Sequence, residues 1–96
     1  MRNMCPRRKQ SLAWREVDGR MIIIHPRRGE VHEFNPTGSM LWRLADGTRS
    51  MQDLARALTV EFDIQEVNAL EDTSDFFQGL NYLELIDWQP SDAHSD

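Results

Sequence analysis

The sequence predicts an α+β domain in which a three-stranded antiparallel sheet is followed by three helices. Three observations carry that order. An Asp18-Gly19 turn precedes a run of three isoleucines, an Asn35-Pro36 pair opens a stretch of helical period, and two further amphipathic stripes follow without a break into strand pattern. The first strand is the weakly alternating run Leu12, Trp14, Val17, ended by Asp18-Gly19, a dipeptide that accepts positive φ at both turn positions and so signals a two-residue hairpin. Arg20–His25, with its β-branched Ile22-Ile23-Ile24, is the second strand. Pro26-Arg27-Arg28-Gly29 turns the chain, and Glu30–Phe34 is the third.

Asn35 is a good N-cap, and Pro36 occupies the first helical position, where its missing N–H costs nothing. Met40, Leu41 and Leu44 share a face of this helix, and Gly47 stops it. Ser50-x-x-Asp53 is a capping box for a second helix, with Met51, Leu54, Ala55, Leu58 and Phe62 on one stripe. Asp63-x-x-Glu66 is read as a second box opening a third helix, whose core face is Ile64, Val67, Leu70, Phe77 and Leu80. Leu83–Trp88 is a short apolar finish, strand or packed coil. Residues 1–11 are expected to be a flexible basic tail, 12–88 the folded domain, and 89–96 a flexible acidic tail. A small sheet beside three helices, two of them joined at the Asp46–Arg49 corner, is winged-helix architecture. Nucleic-acid binders and protein-interaction modules share it, so the fold does not choose between them.

Charge narrows the choice. The 96 residues are 40% apolar and 28% charged, with a net charge of −5. Residues 1–10 carry Arg2, Arg7, Arg8 and Lys9 and no acid, whereas residues 57–96 carry ten acids and no Lys or Arg. The longest apolar run, Met21–Ile24, is far short of the about 20 residues that a membrane-spanning helix needs. No apolar segment follows the basic N-terminus, so no secretory signal is expected; with a single cysteine, Cys5, this suits a reducing cytoplasm. A duplex reader needs bases along its recognition helix, but the third helix offers Glu66, Glu71, Asp72 and Asp75. A winged-helix nucleic-acid-binding regulator is therefore the alternative reading, resting on Arg49, Arg56 and the basic N-terminus.

Catalysis finds no support in the residues. His25, His32 and His94 lack metal-ligand spacing, and no phosphate-binding or nucleophile-elbow motif occurs. Cys5 falls in the expected tail, where nothing positions a substrate, and the adjacent Glu71 and Asp72 diverge on a helix. No enzyme activity, metal or cofactor is expected. An interaction surface remains: in a meander the outer strands are edges, and Glu30-Val31-His32-Glu33-Phe34 is short, free of proline and able to pair with an incoming extended segment.

The residues also carry a resemblance. Gly29-x-Val31-x-x-Phe34-Asn35-x-Thr37-Gly38-x-x-Leu41-Trp42-x-Leu44-x-Asp46-Gly47, followed by Ser50-x-x-x-Leu54-Ala55-x-x-Leu58-x-x-x-Phe62 and by Val67, Asp72, Phe76, Leu80 and Leu85-Ile86, resembles the PqqD-like proteins, or RiPP recognition elements. It spans roughly residues 14 to 88. It departs from the pyrroloquinoline quinone members at Pro26–Gly29, Thr73 and Leu83-Glu84, so it implies the module and not the product.

The resemblance implies a non-catalytic peptide chaperone. Such a protein binds the leader region of a ribosomally synthesised precursor peptide as an added strand on the third strand, in a groove walled by the third helix. It delivers the precursor to a modifying enzyme, often a radical S-adenosylmethionine (radical SAM) enzyme. Within such a module Glu30, Val31, His32, Glu33 and Phe34 would meet the peptide, through the backbone of either Val31 and Glu33 or His32 and Phe34, with the Phe34 ring turned into the core. Ala69, Asp72, Thr73 and Phe76 would line the groove from the third helix, Phe76 as apolar anchor and Asp72 as partner for a cation or polar group. Trp42 is expected beneath the sheet.

Overall fold

The structure is a computed structural model and describes residues 4–90, so the expectations for residues 1–3, for 91–96 and for His94 lie outside the described residues. The expected sheet and helices are all present: β2 (Ala13–Val17), β3 (Arg20–His25), β4 (Glu30–Glu33), α1 (Pro36–Leu44), α2 (Met51–Phe62) and α3 (Glu66–Tyr82). They are preceded by β1 (Met4–Arg8) and followed by β5 (Ile86–Pro90).

β2, β3 and β4 form an antiparallel meander in that order. Asp18 and Gly19 take φ of 53° and 78°, the positive pair that a tight hairpin requires. At the other end the Gly29 N–H donates to the His25 carbonyl at 2.8 Å. Alternation then decides the faces: Met21, Ile23 and His25 are buried, while Ile24 and Val31, cross-strand partners, point outward.

Asn35 caps α1 through its side chain, accepting the Gly38 N–H at 2.8 Å. Buried Ser39 ties α1 to the sheet, its hydroxyl accepting the Met21 N–H (2.8 Å) and donating to the Phe34 carbonyl (3.2 Å). Trp42 lies fully buried beneath the sheet, edge-on to Trp14 and Phe34. Ser50 and Asp53 form the reciprocal capping box of α2.

Two helical expectations need correction. Asp63 does not open α3; it closes α2 in the left-handed conformation (φ 54°, ψ 47°), and α3 begins after Gln65 with no side-chain cap. The core stripe of α3 is also rotated from the one expected. Ala69, Thr73, Phe77 and Leu80 are buried, whereas Val67 is 70% and Leu70 41% exposed. Small residues such as Ala69 and Thr73 are buried because they permit close approach of neighbouring elements, a reason that hydropathy alone does not register.

The tail boundaries are corrected as well. Residues 4–8, expected in a basic tail, form β1, which pairs antiparallel with β5 from Met4↔Pro90 to Arg8↔Ile86, so Gln89 and Pro90 also belong to the fold. Cys5 is 1% exposed, a core residue rather than a thiol in a loose segment. Arg8 reaches across to donate to the Trp42 and Arg43 carbonyls, both at 2.8 Å, placing a cation at the C-terminus of α1 where the helix dipole favours it.

Candidate functional site

β4 is hydrogen-bonded on one side only. In an antiparallel ladder, backbone groups point alternately toward and away from the partner strand. The Phe34 N–H donates to the Met21 carbonyl at 2.9 Å, which makes Phe34, His32 and Glu30 the residues that face β3. The N–H and C=O of Val31 and Glu33 are left facing outward. Of the two registers considered from sequence, the ladder therefore leaves Val31 and Glu33 available, and Val31 is 65% exposed.

The edge is electrically quiet. Glu33 pairs with Arg20 (2.9 Å), and Glu30 lies 3.2 Å from His32 Nε2 and 3.9 Å from Arg28. Arg28 also reaches Glu84 beyond the end of α3 (3.4 Å), while at the opposite end of β4 the Phe34 and Phe76 rings meet edge-on at 5.1 Å. The residues that flank β4 thus reach Phe76 in the C-terminal half of α3 and Glu84 just past its end. Asp72, Phe76, Gly79 and Leu83 follow one another at helical spacing along one side of that helix. A Cβ added at Gly79 would meet nothing within 4 Å, so this stretch of the helix surface is open.

Past Phe34 the edge runs into a cleft of about 370 Å³ lined by Asn35, Gly38, Leu41, Leu58, Ile64, Phe76 and others, with Asp72 and Asp75 among them. Gly38 is what lets Phe76 sit there. A Cβ on Gly38 would stand 2.9 Å from Phe76 Cε1 and 3.3 Å from Phe34 Cβ.

Of the expected site residues, Glu30, Val31, His32 and Glu33 share β4, Phe34 at its end packs on Phe76, and Asp72 lines the same cleft as Phe76. The structure does not bring Ala69 and Thr73 to the groove: both are 0% exposed in the core, a correction that follows from the rotated stripe of α3. Gly38, Ile64 and Asp75 also line the cleft and were missed. Asp75 lies three residues after Asp72, so centring the helix face on Asp72 would have found it. Among the described residues no group of three His, Cys, Asp or Glu could hold a metal ion, and no helix is long and apolar enough to cross a membrane.

Comparison with known proteins bears on the fold and the family. The solved structure "TbiB1 in Complex with the TbiA(beta) Leader Peptide" is similar in fold, with a TM-score of 0.77 and 18% identity over 84% of this chain and 94% of that one. "Lasso peptide synthetase B1 complexed with the leader peptide" has a TM-score of 0.74 and 26% identity over 84% of this chain and 95% of that one. No curated protein sequence matches the chain. The family described as "Coenzyme PQQ synthesis protein D (PqqD)" matches residues 13–86, from the start of β2 to the start of β5, and the chain belongs to that family.

Proposed function

We propose that this protein is a peptide-binding chaperone that captures the leader region of a ribosomally made precursor peptide by strand addition to β4 and hands it to a modifying enzyme. The observation that carries the reading is the open side of β4, with Val31 and Glu33 presenting backbone donors and acceptors on a strand that ends at the Phe34–Phe76 ring contact. The two similar solved structures are of proteins held with leader peptides, which supports the same use of this fold. The protein acts by presentation and performs no chemistry of its own. With Cys5 as the chain's one thiol, its place of work is the cytosol.

Four outward backbone groups at about 1 kcal/mol net each, and two or three buried anchors worth about 5 kcal/mol together, outweigh the roughly 2–5 kcal/mol lost in ordering the peptide. The balance is roughly 4–7 kcal/mol, a Kd between about 10 µM and 1 mM, suited to a carrier that releases its cargo. Nucleic acid fits poorly, because the exposed side of α3 would bring Glu66, Glu71, Asp72 and Asp75 against phosphates. Titrating the labelled protein with the leader peptide of a short precursor should shift the amide signals of residues 30–34 and of the Asp72–Phe76 segment. Spectra unchanged at millimolar peptide would overturn the reading, and salt-sensitive DNA binding at sub-micromolar protein would replace it.

A further inference from the structure

The cleft beyond β4 has two chemical characters. Its floor is apolar, formed by Leu41, Leu58, Ile64 and Phe76, and α3 adds the carboxylates Asp72 and Asp75. Among the described residues no cation pairs with either carboxylate, whereas Glu30, Glu33, Asp46, Asp53 and Asp87 are each paired with an Arg, His or Lys. Nor does α3 supply a base of its own, since the chain holds no Lys or Arg after Arg56.

An apolar floor under two unneutralised carboxylates repels an acidic occupant and leaves a purely apolar one with nothing to meet the charge. It matches a side chain with a methylene stem and a cationic head, whose stem lies along apolar surface while the charge stays at the wet rim. Asn35, which also lines the cleft, follows Phe34 directly, and Phe76 packs on Phe34. A strand running along β4 past Glu33 therefore delivers its next residues to this place.

We infer that the cleft takes a lysine or arginine side chain of the captured peptide, so that the protein selects its cargo by a basic anchor beside the paired strand. This rests on strand capture at β4 as proposed above. The test uses four end-capped, nine-residue Thr/Ser/Val peptides that differ only at one central position: lysine, arginine, norleucine or glutamate. Each is titrated into the full chain while the amide signals of Val31 and Glu33 are followed. Lysine and arginine should bind about fivefold tighter than norleucine, and glutamate weakest. The preference should shrink in high salt and disappear in the Asp72→Asn/Asp75→Asn variant, which keeps side-chain volume at two exposed positions. Norleucine binding as tightly as lysine, with Val31 and Glu33 still shifting, would overturn the basic anchor and leave capture standing. If no peptide shifts Val31 and Glu33, capture at β4 falls and the anchor falls with it.

Discussion

β1 and β4 are both short strands at the margin of a sheet, and they are treated oppositely. β1 is held on both sides. β5 pairs with one, and on the other Arg8 donates to the Ala45 carbonyl (2.9 Å), Gly47 donates to the Pro6 carbonyl (3.0 Å), and Arg7 bridges Asp46. Its Cys5 and Pro6 are buried, and Lys9 just beyond it pairs with Asp87 at 3.0 Å. β4 has one partner strand and leaves Val31 largely in water. An open strand edge invites unwanted pairing, and proteins usually cover it. This one has an N-terminal strand to hand and spends it closing a different sheet. β1 therefore belongs to stability, and the proposed capture uses the edge that β4 leaves open.

The largest effect should come from removing the closed strand. Deleting residues 1–9 loses two buried side chains, at about 1.5 kcal/mol each, and the backbone bonds on both sides of β1. Thermal unfolding should fall by at least roughly 15 °C; a change of a few degrees would mean β1 is dispensable. Next, Gly38→Ala forces a methyl group against Phe76 and Phe34, where overpacking costs about 1–3 kcal/mol, so both stability and peptide affinity should drop. Val31→Pro removes an outward N–H that takes no part in the β3 ladder. Calorimetry should find peptide affinity at least about tenfold weaker at a nearly unchanged melting temperature. Gly79→Leu should raise stability by about 0.5–1 kcal/mol in urea unfolding, because glycine disfavours helix interiors and the space is open.

The smallest effect lies at the corner that β1 docks on. The Thr48 hydroxyl, foremost, and Arg49 hold the Asp46 carboxyl below the usual carboxylate range, against some opposition from burial. At Asp53 the Ser50 N–H does the same. A carboxyl whose pKa is lower in the folded state stabilises the fold above its unfolded value, about 4, and that share is lost as pH falls through the folded value. Both groups are largely exposed, so Asp46→Asn should cost less than about 1 kcal/mol at pH 7 and less again as pH falls below about 4, as followed by urea unfolding.

The contrast between β1 and β4 also marks what the sequence could show. The meander was legible because its turns are local: Asp18-Gly19 and Pro26–Gly29 each specify their own geometry. The caps at Asn35 and Ser50 were legible for the same reason. β1 was not, since Met4–Arg8 is polar, contains a proline and gains its strand conformation only from residues some eighty positions away. Periodicity failed on α3 because Ala69 and Thr73 pack by being small, while Val67 and Leu70 are apolar yet outward. Of the candidate site, Glu30–Phe34, Asp72 and Phe76 could be placed from strand order and family resemblance. The Gly38–Phe76 contact required coordinates, as it depends on how two helices meet.

Amide hydrogen exchange on the free and peptide-bound protein tests the openness of β4 most directly. Val31 and Glu33 should exchange quickly in the free protein and slow on binding, while His32, already bonded to β3, should change little. Val31 and Glu33 already protected without peptide, or peptide-induced protection at Trp14 and Glu16 on the far edge of the sheet instead, would contradict the account.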